Sequence, residues 1–132
     1  MDVLKQLFEQ HYHFPAEQVQ PLQGKLGGSG RAIIRLRAGS TSAVGIVYSV
    51  REENIAFLEF TRHFHRHKLP VPTIYAEDLG QGAYLEEDLG DTTLFDFLNC
   101  NRVGTNIFPE AIEAYRKVVA ELPRFQVEAG RI

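Results

Sequence analysis

The sequence predicts an α+β fold in which short antiparallel strands surround one long helix. Three observations lead there. Short runs rich in β-branched residues, separated by glycine-bearing turns, occupy residues 18–49. The apolar spacing then switches to a helical period over residues 51–67. Two further extended runs follow, and helical patterns occupy the last third of the chain. Strands joined through turns, rather than strands alternating with helices, point to an antiparallel sheet and away from a doubly wound one.

Each element has its own signal. Val3, Leu4, Leu7 and Phe8 recur at helical spacing, so residues 2–12 form a short amphipathic helix, stopped by Phe14-Pro15. Residues 18–26 are a first strand, demoted towards an edge by Pro21. The loop Gly24-Lys-Leu-Gly-Gly-Ser-Gly-Arg31 leads into a second strand, Ala32–Arg37. Gly39–Ser42 is a turn and Ala43–Ser49 a third, largely buried strand. In the long helix Phe57, Phe60, Thr61 and Phe64 share one face, with Ile55 and Leu58 beside it. The stretch KLPVPTIYAE is extended because its prolines block a helix. Gln81-Gly82 turns the chain into a last strand, Ala83–Glu87, broken by Asp88-Leu89-Gly90-Asp91. Helices follow at Thr93–Asn99 and at Pro109–Glu121, where proline suits a helix start.

Composition narrows the function. At 132 residues, with 44% hydrophobic and 23% charged, the chain is long enough for one domain with a core. A formal net charge of −3, with basic residues scattered among acids, argues against a nucleic-acid binder. The single Cys100 excludes an internal disulfide and suits a reducing compartment; it reads as a packed or incidental thiol. No apolar run has the length of a membrane span, and MDVLKQLFEQ carries acids where a signal peptide is basic and then apolar. A cytoplasmic protein with no membrane partner is the expectation. His63, His65 and His67 end the long helix, where positive side chains suit the dipole. They lack the third ligand and general base of a zinc site, so they read as a solvated cluster, not a metal centre.

The motifs GGSGR, LPVP and YLEEDLGDTTL, in this order among these elements, resemble the N-terminal lobe of the aminoglycoside phosphotransferase and choline kinase-like enzymes. LPVPTIYAEDLGQGAYLEEDLGDTTLFDFL is most similar to the sugar kinases that phosphorylate the anomeric hydroxyl of N-acetylmuramate and N-acetylglucosamine. The likeness runs from about Leu22 to Leu98. It implies a kinase-like lobe, a five-stranded antiparallel sheet with one long helix, over residues 1–87. A hinge would span 88–92 and the first helices of a C-terminal lobe 93–132.

The resemblance also implies roles. Gly27, Gly28, Ser29 and Gly30 would lay backbone amides over the phosphates of ATP, with Arg31 adding charge. Taken by itself, the same loop reads as a hairpin turn; the flanking motifs favour the phosphate loop. Glu86, Glu87, Asp88 and Leu89 would be the hinge, holding a purine through main-chain groups; taken alone they are an acidic surface turn. Many such enzymes carry a third-strand lysine paired with a helix glutamate. Here the strand Ala43–Ser49 has no lysine, and Glu53, at the glutamate's place, reads either as that residue or as a surface acid. Lys25 and Arg31 are the candidate substitutes for the missing charge.

The family's aspartate base, asparagine and metal-binding aspartate belong to a larger C-terminal lobe, and no aspartate follows Asp96 here. The expectation is therefore a truncated piece, inactive alone, of an ATP- and Mg-dependent kinase acting on a sugar hydroxyl, with its Mg ligands elsewhere. The alternative is a non-catalytic interaction module of the same shape that binds no nucleotide. In the truncated piece the helices beyond residue 93 would lack packing partners, and Phe95, Phe97, Leu98, Ile112, Tyr115 and Val119 would form an apolar patch prone to self-association.

Overall fold

A computed structural model describes residues 2–22, 30–91, 94–100, 102–104, 106–128 and 130. The fold is α+β. Its centre is an open five-stranded antiparallel sheet of β1 (Gln18–Pro21), β2 (Ala32–Ala38), β3 (Thr41–Val47), β4 (Ile74–Asp78) and β5 (Ala83–Glu87), in the order β1-β2-β3-β5-β4. Helices α1 (Asp2–Tyr12) and α2 (Arg51–Arg66) lie on opposite faces of it.

Strand alternation divides the core into two layers. On one face Leu4, Leu7 and Phe8 of α1 bury against Ile34, Leu36, Ala43, Ala83 and Leu85. On the other, Leu58 of α2 meets Val44, Ile46 and Tyr84, flanked by Ile33, Tyr48 and Ile74. Burying side chains of this size contributes roughly 1.5–3 kcal/mol each. The two layers therefore account for most of the drive to fold.

The turn before β5 is tighter than a simple Gln81-Gly82 corner. Leu79–Gln81 form a single 3-10 turn, closed by the Asp78 carboxylate accepting from the Gln81 N–H at 3.2 Å and its side-chain amide at 2.8 Å. Gly82 follows at φ +65°, and a Cβ there would lie 2.3 Å from the Tyr48 carbonyl oxygen. Only glycine suits that position, because both the backbone angle and the contact exclude a side chain.

Several expectations are corrected. The first strand ends at Pro21, and the rest of its predicted span, with Gly27, Gly28 and Ser29, falls mostly in residues 23–29, outside the described residues. The third strand begins earlier, at Thr41, because Thr41 pairs with Ala38 across the Gly39-Ser40 turn. The sheet-facing row of α2 is Asn54, Leu58 and Thr61, while Phe60 on the expected apolar face is 61% exposed. The reason is local: Asn54 earns burial by donating to the Tyr48 carbonyl at 2.8 Å, which places Leu58 and Thr61, on the same side of the helix, against the sheet.

Past the sheet come α3 (Leu94–Cys100), a two-stranded hairpin of β6 (Arg102–Val103) and β7 (Asn106–Ile107), and α4 (Pro109–Pro123), running into a π-helical segment Arg124–Glu128. The small hairpin has no counterpart in the sequence expectation, since two-residue strands carry no period. Phe125 packs edge-on against Phe64 of α2, with ring centroids 4.9 Å apart, tying this segment to the sheet unit. Cys100 is exposed, not packed. No helix among the described residues is long and apolar enough to cross a membrane.

Candidate functional site

The sheet face beneath α2 gathers the polar groups that the sheet does not need for itself. Arg31 stands just before β2, after Gly30 at φ +73°. Its Nη2 donates to the Glu53 carboxylate at 3.2 Å, and its guanidinium lies 4.4 Å from the centroid of the Tyr48 ring. Partial burial and the Glu53 carboxylate, which accepts from the Tyr48 hydroxyl, raise the Tyr48 pKa. The Arg31 Nε is buried and has no hydrogen-bond partner among the described residues. Glu53 thus has a cation, delivered by the segment leaving the glycine loop and not by the third strand.

The acids at the end of β5 divide by face. Glu86 points to the α2 side, where Val44 and Ile74 are its cross-strand neighbours. Burial alone raises its pKa to about 7, and its Oε2 is buried without a hydrogen-bond partner among the described residues. Glu87 turns to the α1 side, close enough to contribute to the raised Tyr12 pKa. Its main-chain N–H donates to the Thr73 carbonyl at 2.9 Å and its carboxylate accepts from the Thr73 N–H at 3.1 Å. Of the hinge candidates, Glu87 therefore has its main-chain N–H committed to Thr73.

Asp88 is occupied as well. Its carboxylate accepts from Arg35 Nε at 2.7 Å and Nη2 at 3.0 Å, from the Ser42 hydroxyl, and from the Gly90 N–H at 2.9 Å. Burial works to raise its pKa, but these donors outweigh it and hold the carboxyl down at about 2. The third Arg35 nitrogen donates to Asp91 at 2.7 Å. The side chain of Asp88 is a brace between β2 and the chain leaving β5, while Leu89 beside it is exposed.

Of the residues singled out in the sequence, the structure brings Gly30, Arg31, Glu53 and Glu86 to the α2 side and turns Glu87 away from it. Arg35, Ser42, Tyr48, Asn54 and Asp91 were not foreseen. Arg35 offered one signal: in AIIRLRA it holds an inward position at the middle of a strand, where an unpaired charge is not tolerated. The histidines sit as expected at the end of α2, the rings of His63 and His67 4.6 Å apart. Among the described residues no group of three or more His, Cys, Asp or Glu side chains could hold a metal ion. No protein-family model and no curated protein sequence matches the chain.

Proposed function

We propose that this chain is the nucleotide-binding lobe of a small-molecule phosphotransferase of the aminoglycoside phosphotransferase and choline kinase-like kind, acting on a sugar hydroxyl when joined to a catalytic lobe. The observation that carries the reading is the Arg31–Glu53 pair. In kinase-like lobes a cation held by a helix glutamate meets the nucleotide phosphates, and the third strand here has no lysine to play that part. Arg31 reaches the same glutamate from the end of the glycine loop, stacked on Tyr48, with its Nε left unpaired among the described residues. A phosphate oxygen is the natural acceptor for it, since arginine–phosphate bonds are charge-assisted.

In this reading the glycine loop covers the triphosphate and the purine enters between that loop and the exit of β5. Main-chain groups around Leu89 serve as the hinge contact, in place of the Glu87 N–H. A divalent ion such as Mg²⁺ would accompany the triphosphate and offset its charge, its protein ligands belonging to the catalytic lobe.

Titration with Mg-ATP, followed by amide NMR shifts, tests the reading. Shifts at Gly27–Arg31 together with Glu86–Leu89 are expected. Arg31→Ala should weaken binding by about tenfold to a hundredfold, matching a charge-assisted bond of roughly 1.5–3 kcal/mol. A spectrum unmoved at millimolar nucleotide counts against the lobe assignment and favours a non-catalytic module, for which the exposed Phe60 and the apolar face of α4 supply surface. The isolated chain with Mg-ATP should phosphorylate no sugar, because the aspartates that activate the hydroxyl and bind the metal are not in it. Steady turnover by the pure chain would sink that expectation.

A further inference from the structure

We propose that Tyr48 is a positioning residue: its ring and its hydroxyl hold Arg31 and Glu53 as one unit, so that the Arg31 guanidinium meets a phosphate group already aimed. This rests on the phosphotransferase reading above and deepens it, since the ion pair by itself gives an exposed arginine no reason to keep one geometry.

The pair alone is weak. The side chains of Arg31 and Glu53 are 30% and 55% exposed, and an ion pair that open to water gains little over its two solvated partners. A long arginine stem also loses rotamer freedom when a ligand captures it, which lowers affinity. Tyr48 supplies what the pair lacks. The Arg31 Cζ lies over its ring, 4.4 Å from the centroid, where a planar cation is drawn to the negative face of the aromatic system. The Tyr48 hydroxyl donates to the Glu53 carboxylate, which also accepts from Arg31 Nη2 at 3.2 Å. Three side chains thus close a cycle of contacts from three separate parts of the chain: the segment before β2, the exit of β3 and the first turn of α2.

A platform of this kind works only if it is itself fixed, and the Tyr48 main chain is held on both sides. Its N–H donates to the Gly82 carbonyl at 2.8 Å, and its carbonyl accepts from the buried Asn54 side-chain amide at 2.8 Å. Gly82 lies so close that a Cβ there would stand 2.3 Å from that same carbonyl oxygen. The ring is half-buried and packs at the edge of the core layer of Val44, Ile46, Leu58 and Tyr84. Among the described residues Arg31 spends only Nη2 on Glu53. The stack therefore leaves the rest of the guanidinium for the charge-assisted bonds that phosphate oxygens accept.

Side-chain NMR of the Arg31 Nε–H on the full 132-residue chain, without ligand, tests the platform directly. In the native protein the ring current of Tyr48 should move this proton upfield of an ordinary arginine, and its exchange with water should be slow, as suits a buried Nε. Tyr48→Leu should return it to the ordinary position, and Tyr48→Phe, which keeps the ring, should retain the shift. Mg-tripolyphosphate, which has no base, then probes the phosphate contact through the Gly30 and Arg31 amides. Tyr48→Leu should weaken its binding about threefold to tenfold, and Tyr48→Phe should recover most of the loss. An Arg31 proton at the ordinary position in the native protein overturns the proposal, whatever the variants do. Native affinity in Tyr48→Leu overturns it as well. Either result leaves the lobe assignment standing where Mg-ATP still shifts these amides. No shift with Mg-tripolyphosphate or Mg-ATP overturns both.

Discussion

Asp88 and Glu86 lie two positions apart and titrate in opposite directions, which makes them the sharpest probes at the scale of single residues. Asp88 is buried but surrounded by donors, and its pKa falls from 3.8 to about 2. A depressed carboxyl contributes stability that is present above its ordinary pKa and lost as pH falls through the folded value. Asp88→Asn should therefore cost about 2 kcal/mol at pH 7, with the gap to the native protein closing between roughly pH 4 and pH 2. Urea midpoints of both proteins at pH 7 and pH 2.5 would check it; an equal gap at both would count against the ion pair as its source. Glu86 is half-buried, its Oε2 has no donor among the described residues, and its pKa rises from 4.5 to about 7. The folded state then resists ionisation, so stability declines as pH rises through that interval. Glu86→Gln should stabilise the protein by roughly 1–3 kcal/mol at pH 8 and by little at pH 4.5, read by thermal melts. No gain at pH 8 would mean that a donor already satisfies the carboxylate. The sequence made both acids visible, but not their opposite fates. The donors that separate them come from β2, β3 and the Gly90 N–H, with Arg35 standing 53 positions before Asp88.

At the scale of elements, α2 shows how far periodicity reaches. The helix was legible almost to the residue from its apolar spacing, and the histidines His63, His65 and His67 were placed at its end. Which side meets the sheet was not legible. Two neighbouring rows compete, one aromatic and one holding Asn54, Leu58 and Thr61, and the choice turns on a hydrogen bond from Asn54 to a strand end distant in the helix's own pattern. The outcome is testable by substitution. Leu58→Ala should cost about 2–4 kcal/mol, while Phe60→Ala, on an exposed site, should cost less than about 1 kcal/mol. A helix packed through its aromatic row would give the reverse order in urea melts. The turn into β5 gives a second check. Gly82→Ala forces a Cβ onto the Tyr48 carbonyl and should destabilise by more than about 2 kcal/mol. A variant as stable as the native protein would show that β5 can leave the Tyr48 N–H, which now donates to the Gly82 carbonyl at 2.8 Å.

At the scale of the whole molecule, α4 is the element least served by its neighbours. Ala111 is buried, but Ile112, Tyr115, Val119 and Leu122, at spacings of three and four along one side, are all about half exposed. An apolar stripe of that kind favours association, so the mass in sedimentation equilibrium should rise with concentration, and Tyr115→Lys with Val119→Lys should return it to the monomer value. A constant monomer mass for the native chain would remove the stripe from consideration. The sequence by itself determined the α+β class, the helix at 2–12, the long helix to within one residue of its end (51–67 against Arg51–Arg66), the last strand Ala83–Glu87 and the proline-led start of α4. These rest on period, glycine and proline, which act over a few neighbouring residues and are written directly in the order of the chain. Only the tertiary structure decided that Arg31 answers Glu53, that Arg35 holds Asp88, that Glu87 turns from the site and that the Glu86 Oε2 finds no donor among the described residues. Those outcomes depend on which strands lie side by side and on which face each residue falls. Burial and charge pairing act through space, between residues whose separation along the chain says nothing of their distance in the fold.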